Sequence, residues 1–190
     1  MKFKSCLLAI LWPALHTLAQ SPIAIRPLTV GDTAPDIVFS NVVNNPVSKI
    51  HLSQFKDQLV ILDFWATWCG SCIAKLNTID SLQQAFPGKL KIILVNNLIG
   101  TGDTKETITA FFSRWNKKHP AFRSTHVAED TLAAKYFPHI FLPHYIWIAP
   151  GGRIIAITDG EALTAANISM LVSGIMPHLP LKTDKRMGSQ

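Results

Sequence analysis

Cysteine is scarce in this chain, whose 190 residues contain only three, at positions 6, 69 and 72. A chain of this length can bury a core large enough to fold without crosslinks, so a disulfide-stapled scaffold is not expected. The sequence also lacks a second C-x-x-C motif, a paired-histidine zinc motif and a C-x-x-C-H haem-attachment motif. The two close cysteines must therefore be explained by their own spacing.

Repeats, Gly/Ser-rich or Pro-rich linkers and long runs of like charge are also missing. The formal net charge is +6, but most basic residues stand singly and do not alternate with aromatic residues. Nucleic acid is therefore not an expected partner. The uninterrupted chain predicts one domain at 30–179, preceded by an extended leader at 20–29 and followed by a flexible tail at 180–190.

The first nineteen residues have the composition of a secretory signal peptide. Lys2 and Lys4 precede an apolar run, and Ala19 ends a small-residue cleavage site. The run is shorter than the roughly 20 apolar residues that span a membrane. We expect cleavage near Ala19, which removes Cys6 and leaves the mature protein in the bacterial periplasm or cell envelope, where disulfides persist.

Hydrophobic patterning predicts strands that alternate with helices. Residues 58–65 and 89–95 are near-continuous apolar runs, typical of strands buried on both faces. Apolar residues recur every three or four positions over 71–86 and 103–119, which predicts two amphipathic helices. A D-x-x-E pattern resembling a capping box predicts that Asp103 begins the second helix.

The rest of the pattern predicts a short helix at 131–137, a hairpin of strands at 144–149 and 153–158, and a final helix at 163–174. Upstream, segments 37–42 and 47–55 predict a small extra hairpin. This order predicts an α/β fold with a central sheet.

Cys69 and Cys72 lie where the strand at 58–65 gives way to a helix. A helix N-terminus favours a thiolate, because its unpaired N–H groups and dipole stabilise negative charge. We expect Cys69 to be the exposed nucleophile. Cys72, in the first turn, is expected to be the more buried resolving cysteine that displaces a mixed disulfide.

Asp63 is a carboxylate inside an otherwise apolar strand. Burial without a cation raises the pKa of a carboxyl group and keeps it neutral. Such a group can relay a proton to or from a buried thiol. The alternative is an aspartate at the strand end that is hydrogen-bonded to backbone.

A metal site is the alternative interpretation of the cysteine pair. His139 and His144 are five residues apart, so two cysteines and two histidines satisfy the four-ligand count of structural zinc. We favour a redox pair with no metal and no other cofactor.

The segment "LVILDFWATWCGSC" (59–72) resembles the active-site strand and motif of the thioredoxin superfamily, including Trp68 before the first cysteine. "VGDTAPDIVF" (30–39) resembles the entry segment shared by TlpA-like and ResA-like envelope thiol-disulfide oxidoreductases and by peroxiredoxins. The resemblance covers most of residues 30–175. It implies a thioredoxin-like fold, with a central mixed β-sheet flanked by helices and a small N-terminal β-hairpin.

The resemblance also implies roles for particular residues. Cys69 and Cys72 would form the redox-active disulfide, with Asp63 as the buried acid. A cis peptide bond before Pro143 would face the disulfide and leave the backbone of Leu142 free to pair with an extended substrate. The substrate-binding residues implied in this way are Trp68, Gly70, Ser71, Leu142 and Pro143.

Two positions depart from the family pattern. Ser71 stands where proline is common, and the residues between the cysteines help to set the redox potential. His144 stands where a small polar residue is more usual. Its imidazolium would stabilise the Cys69 thiolate if it lay nearby; otherwise its side chain points into solvent.

The implied function is an exported thiol-disulfide oxidoreductase that reduces protein disulfides as a monomer and receives electrons from a membrane-bound donor. The family suggests cytochrome c maturation or general repair of misoxidised thiols. One alternative is a peroxiredoxin, although Thr67 precedes Cys69 by two residues rather than three. The other is a thioredoxin-like copper chaperone that uses the cysteines with His139 or His144.

Overall fold

The computed structural model describes residues 25–43, 47–120 and 122–182. The predicted signal peptide with Cys6, the first part of the leader and residues 183–190 of the predicted tail lie outside these ranges. The boundaries expected at 30 and 179 stay predictions. No helix in the described part is long and apolar enough to cross a membrane.

The described residues form seven strands and five α-helices, and the predicted elements occur among them in the predicted order. In chain order they are β1 (Val38–Phe39), β2 (Ile50–His51), β3 (Leu59–Phe64), α1 (Gly70–Ala85), β4 (Leu90–Val95), α2 (Leu98–Thr101), α3 (Lys105–Lys118), β5 (Thr125–Val127), α4 (Ala133–Tyr136), β6 (His144–Ile148), β7 (Ile154–Thr158) and α5 (Ala165–Val172). Short 3₁₀ turns at Leu52–Phe55 and Gly160–Ala162 precede β3 and α5.

The main sheet has the strand order β5-β4-β3-β6-β7. Strands β3, β4 and β5 are parallel, whereas β6 is antiparallel to β3 and β7 is antiparallel to β6. Strands β1 and β2 form a separate antiparallel pair. The predicted fold class is therefore confirmed: a thioredoxin-like arrangement with a central mixed sheet and a small N-terminal hairpin.

Strand β3 is central, and all six of its residues are buried, as its near-continuous apolar run predicts. Alternate side chains point to opposite faces of the sheet. Ile61 belongs to the core that β3 forms with α1 and α3, and Leu62 belongs to the core under the N-terminal hairpin. The sheet is thus covered on both faces. This packing holds in place the end of β3, which leads into the cysteine motif.

The start of α3 differs from the prediction. Thr104 is the N-cap residue, and its hydroxyl accepts a hydrogen bond from the Thr107 N–H at 3.3 Å. Asp103 precedes the cap, and its carboxylate contacts Thr67 instead. The capping-box assignment to Asp103 is wrong, because a neighbouring hydroxyl takes the cap and a distant loop takes the carboxylate.

Candidate active site

The two cysteines form a disulfide bond at the junction of β3 and α1, with their Cα atoms 5.3 Å apart. Cys69 is the N-cap residue of α1, and Cys72 lies in the first turn. The Cys72 N–H donates to the Cys69 Sγ at 3.3 Å. The sulfur of Cys69 therefore occupies the position where a helix N-terminus presents its unpaired donors.

Both cysteines are buried in this oxidised state. Cys69 is 6% exposed and Cys72 is 1% exposed. The order agrees with a nucleophile that is more accessible than its resolving partner, but the expectation of an exposed Cys69 is wrong here. The sulfur is covered because it is bonded to Cys72 and has the Ser71 hydroxyl 3.5 Å away.

Asp63 lies on the same face of β3 as Trp65, which packs in the same core as Cys72. Its carboxyl is 1% exposed, and burial raises its pKa well above the ordinary value. Oδ1 has no hydrogen bond of ordinary geometry. A neutral, incompletely bonded carboxyl on the cysteine side of the sheet is suited to exchanging a proton.

Tyr145 faces Asp63 directly across the antiparallel pair β3–β6. Its side chain is fully buried, and its hydroxyl lowers the pKa of Asp63. Burial, together with the Asp63 carboxyl, raises the pKa of Tyr145. The two groups interact without a hydrogen bond of ordinary geometry, since the Tyr145 hydroxyl has no partner within normal limits. Hydrogen bonds of this kind often tighten only in a reacting complex.

The Leu142–Pro143 peptide bond is cis, as the resemblance implied. Both residues are half-buried, and they immediately precede β6. The Lys182 ammonium donates to the carbonyl oxygens of Phe141 and, at 2.9 Å, of Pro143. The Lys182 N–H also bonds the Ile157 carbonyl of β7 at 2.8 Å. Lys182 falls within the predicted tail, yet it holds the loop that carries the cis-proline.

His144 occupies neither of its expected positions. The residue is 4% exposed, and its ring packs against Phe64 and stacks on His139 with centroids 4.7 Å apart. Burial, with the positive charge of neighbouring groups, lowers the pKa of His144 to about 2. His144 is therefore neither an imidazolium near Cys69 nor a solvated side chain, because β-strand alternation turns it to the opposite face of the sheet.

This geometry also bears on the metal alternatives. His139 and His144 lie with Phe64 on the sheet face opposite to the core that contains the cysteines. In the described residues, no group of three histidine, cysteine or acidic side chains is placed to hold a metal ion. The zinc and copper hypotheses require the cysteines to lie beside His139 or His144, and the fold does not bring these residues together.

The other motif residues surround the disulfide. Trp68 is 62% exposed, and its indole N–H donates to the Thr101 carbonyl at 2.9 Å. Gly70 opens α1, and a Cβ added there would meet nothing within 4 Å. Ser71 is exposed beside Cys69. Trp68, Gly70 and Ser71 are thus exposed beside the buried sulfur pair.

A buried hydrogen-bond network, which sequence reasoning missed, lies directly behind the motif. Asp103, 3% exposed, accepts from the Thr67 N–H at 2.7 Å and the Thr67 hydroxyl at 2.6 Å. It also accepts from the Asn96 amide at 2.9 Å, and the same amide reaches the Trp65 carbonyl at 3.2 Å. The only local signal at Asp103 was its misleading capping pattern.

Comparisons with known proteins agree with this geometry. The family model described as Redoxin matches residues 29–169. The chain is 26% identical over 109 residues to thioredoxin-like protein YneN of Bacillus subtilis, covering 57% of this chain and 60% of that protein. It is 28% identical over 149 residues to thiol-disulfide oxidoreductase ResA of Oceanobacillus iheyensis, covering 78% and 73%.

Solved structures show the same fold. The thioredoxin domain of a thiol-disulfide oxidoreductase from Bacteroides vulgatus superposes with a TM-score of 0.57 at 20% identity. The superposition covers 76% of this chain and 99% of that one.

Proposed function

The chain belongs to the Redoxin family, and we propose from this premise that it is a thiol-disulfide oxidoreductase that reduces disulfide bonds in other proteins. The observation that carries the proposal is the Cys69–Cys72 disulfide at the N-terminus of α1, on the side of the sheet that buries Asp63. That arrangement supplies a nucleophile, a resolving thiol and a proton acceptor within one strand–helix junction.

The first step uses the reduced protein. The Cys69 thiolate attacks one sulfur of a target disulfide, forms a mixed disulfide and releases the other target sulfur as a thiolate, which solvent protonates. The N-cap position supports this role, because the first N–H groups of α1 favour negative charge on the Cys69 sulfur.

The second step uses Cys72. Asp63 acts here in its ionised form, which burial makes a stronger base than an ordinary carboxylate. It takes the proton of the Cys72 thiol, and the resulting thiolate attacks the Cys69 sulfur of the mixed disulfide. The Cys69–Cys72 disulfide forms, the second target thiolate leaves, and the target has gained two electrons. A dithiol donor then returns the pair to its reduced form by the reverse exchange.

The target segment is proposed to lie across Trp68, Gly70 and Ser71 on one side and Leu142 and Pro143 on the other. The half-buried cis-proline has no N–H to donate, so the Leu142 backbone can pair with an extended peptide. The exposed Trp68 ring offers apolar contact area beside the sulfurs.

We place the protein in the periplasm or cell envelope after removal of residues 1–19, where it works as a monomer with a membrane-bound electron donor. The signal-like composition of the N-terminus supports export. The physiological targets are proposed to be thiols of cytochrome c maturation or misoxidised thiols in general, as the family resemblance suggests.

Trapping tests the function directly. In Cys72→Ser the mixed disulfide cannot be resolved, so target proteins should accumulate on Cys69 and be released by dithiothreitol. Cys69→Ser is the matched control and should trap nothing. Absence of reducible adducts, or equal adducts in both variants, would contradict the proposal. Rapid peroxide consumption by the reduced protein would favour the peroxiredoxin alternative instead.

A further inference from the structure

Asp103 is a buried carboxylate whose three hydrogen-bonding partners all donate. The Thr67 N–H, the Thr67 hydroxyl and the Asn96 amide point to its two oxygens at 2.6 to 2.9 Å. An ionised carboxylate has acceptors and no donor, so it matches these three donors. An asparagine of the same shape would oppose an N–H₂ group to at least one of these donors.

The same network holds the segment that precedes the sulfur pair at several points. Thr67 stands two residues before Cys69, and the Asn96 amide ties Asp103 to the Trp65 carbonyl. The Thr101 hydroxyl donates to Asn96 Oδ1 at 3.0 Å, and the Thr101 carbonyl accepts from the Trp68 indole. Asp103 thus joins the motif to the segment that follows β4.

The negative charge of Asp103 has no basic counterpart at ion-pair distance in the described part of the chain. Lys105 is the nearest basic residue in sequence, but it is exposed, and its N–H donates to the Glu129 carboxylate. A fixed negative charge behind the motif opposes formation of the Cys69 thiolate on reduction. It therefore favours the disulfide over the dithiol.

We propose that Asp103 is a positioning residue of the exchange reaction. It fixes the Thr67–Trp68 segment ahead of Cys69, and its negative charge makes the Cys69–Cys72 dithiol a stronger reductant. This inference rests on the proposed function only for its direction of electron flow. The equilibrium between disulfide and dithiol can be measured without any target protein.

The test compares Asp103→Asn with Asp80→Asn in the full mature protein. Asp80 is a matched control, because it is also buried and accepts from one backbone N–H, one side-chain amide and one hydroxyl. It lies eleven residues along α1 from Cys69, or about 16 Å at the rise of an α-helix. Both variants should lose stability to a similar extent. A difference between their disulfide–dithiol equilibria therefore reports the position of the removed charge and not the loss of stability.

In glutathione buffers the protein disulfide takes two electrons and two protons from two glutathione thiols. Asp103→Asn should shift this equilibrium roughly tenfold toward the dithiol, which is about 30 mV. It should also lower the pH at which the thiolate absorbance of Cys69 appears. Thr67→Val removes one hydrogen bond but keeps the charge, so it should shift the equilibrium much less.

An Asp103→Asn equilibrium equal to wild type, or one matched by Asp80→Asn, would overturn the proposal. Neither result would contradict the proposed function, which the trapping experiment tests separately. Loss of trapping in Cys72→Ser with an intact Asp103 effect would instead contradict the function alone.

Discussion

At the scale of single residues, Asp63 carries the clearest electrostatic consequence. Its folded-state pKa is raised by burial, whereas an unfolded aspartate titrates near about 3.9. Below that pH the carboxyl is protonated in both the folded and the unfolded state, so its burial does not lower the free energy of unfolding. As pH rises toward the folded pKa, the unfolded state ionises first, and the free energy of unfolding falls by about 1.4 kcal/mol per pH unit.

Asp63→Asn should therefore change stability in a pH-dependent way. The variant and wild-type oxidised proteins should unfold at similar denaturant concentrations near pH 4. The variant should become the more stable by over about 1 kcal/mol near pH 8, because an amide does not ionise. Asp57→Asn, at an exposed position, is the control and should show no such divergence. A constant difference across pH would refute the burial argument.

Tyr145 offers a second test of the same carboxyl. Its hydroxyl lowers the pKa of Asp63, so Tyr145→Phe should raise that pKa further and move the pH midpoint of the resolving step upward. The chain has only one other tyrosine, Tyr136, and Tyr136→Phe should leave the midpoint unchanged. Stopped-flow measurement of disulfide formation after mixing with a small disulfide reports this midpoint. A downward shift would show that the hydroxyl does not favour the carboxylate.

Residue roles could be predicted from sequence where the signal is local. The cysteine spacing and the carboxylate in an apolar run are visible within nine residues of each other. Asp103 could not be assigned in this way, because its partner Thr67 is 36 residues earlier and contacts it only through the fold. His144 was misjudged because its face of the strand depends on the register of β6 with β3.

At the scale of elements, apolar runs and helical periodicity were sufficient for β3, β4, α1 and the hairpin of β6 and β7. Strand β5 was missed because its three residues, Thr125 to Val127, are too few and too mixed to show a period. Its strand character comes from parallel pairing with β4. Short helix α2 was missed for the same reason, since four residues give little periodicity.

The loop before β6 depends on an element far along the chain. The Lys182 ammonium holds the Phe141 and Pro143 carbonyls, so Lys182→Met should loosen the cis-proline loop. We expect KM for a protein disulfide to rise severalfold while the rate with a small disulfide is unchanged. Lys49→Met, at an exposed lysine in the N-terminal hairpin, is the control. Equal losses with both substrates would argue against a docking role for the loop.

At the scale of the whole molecule, the topology explains why three distant segments meet. The parallel strands β3 and β4 end at the same edge of the sheet, which places the cysteines beside Asn96 and Asp103. Strand β6 runs antiparallel to β3 and pairs His144 with Phe64, so the cis-proline starts at that edge too. The sheet thereby assembles the site from loops that lie far apart in the sequence.

Export is a prediction for the complete chain. Expression in a bacterium with an active secretion system should yield a periplasmic protein whose first residue is Gln20, as intact-mass measurement would report. Ala19→Arg should block the small-residue site and leave a longer, unprocessed form. A mature protein that retains Cys6 would contradict the predicted cleavage.

The most direct test of the central claim is a redox titration of the purified protein with thiol alkylation and peptide mapping. The account predicts one two-electron transition in which Cys69 and Cys72 become alkylated together as the buffer becomes more reducing. Cysteines that alkylate independently of each other, or that show no transition in glutathione or dithiothreitol buffers, would contradict it.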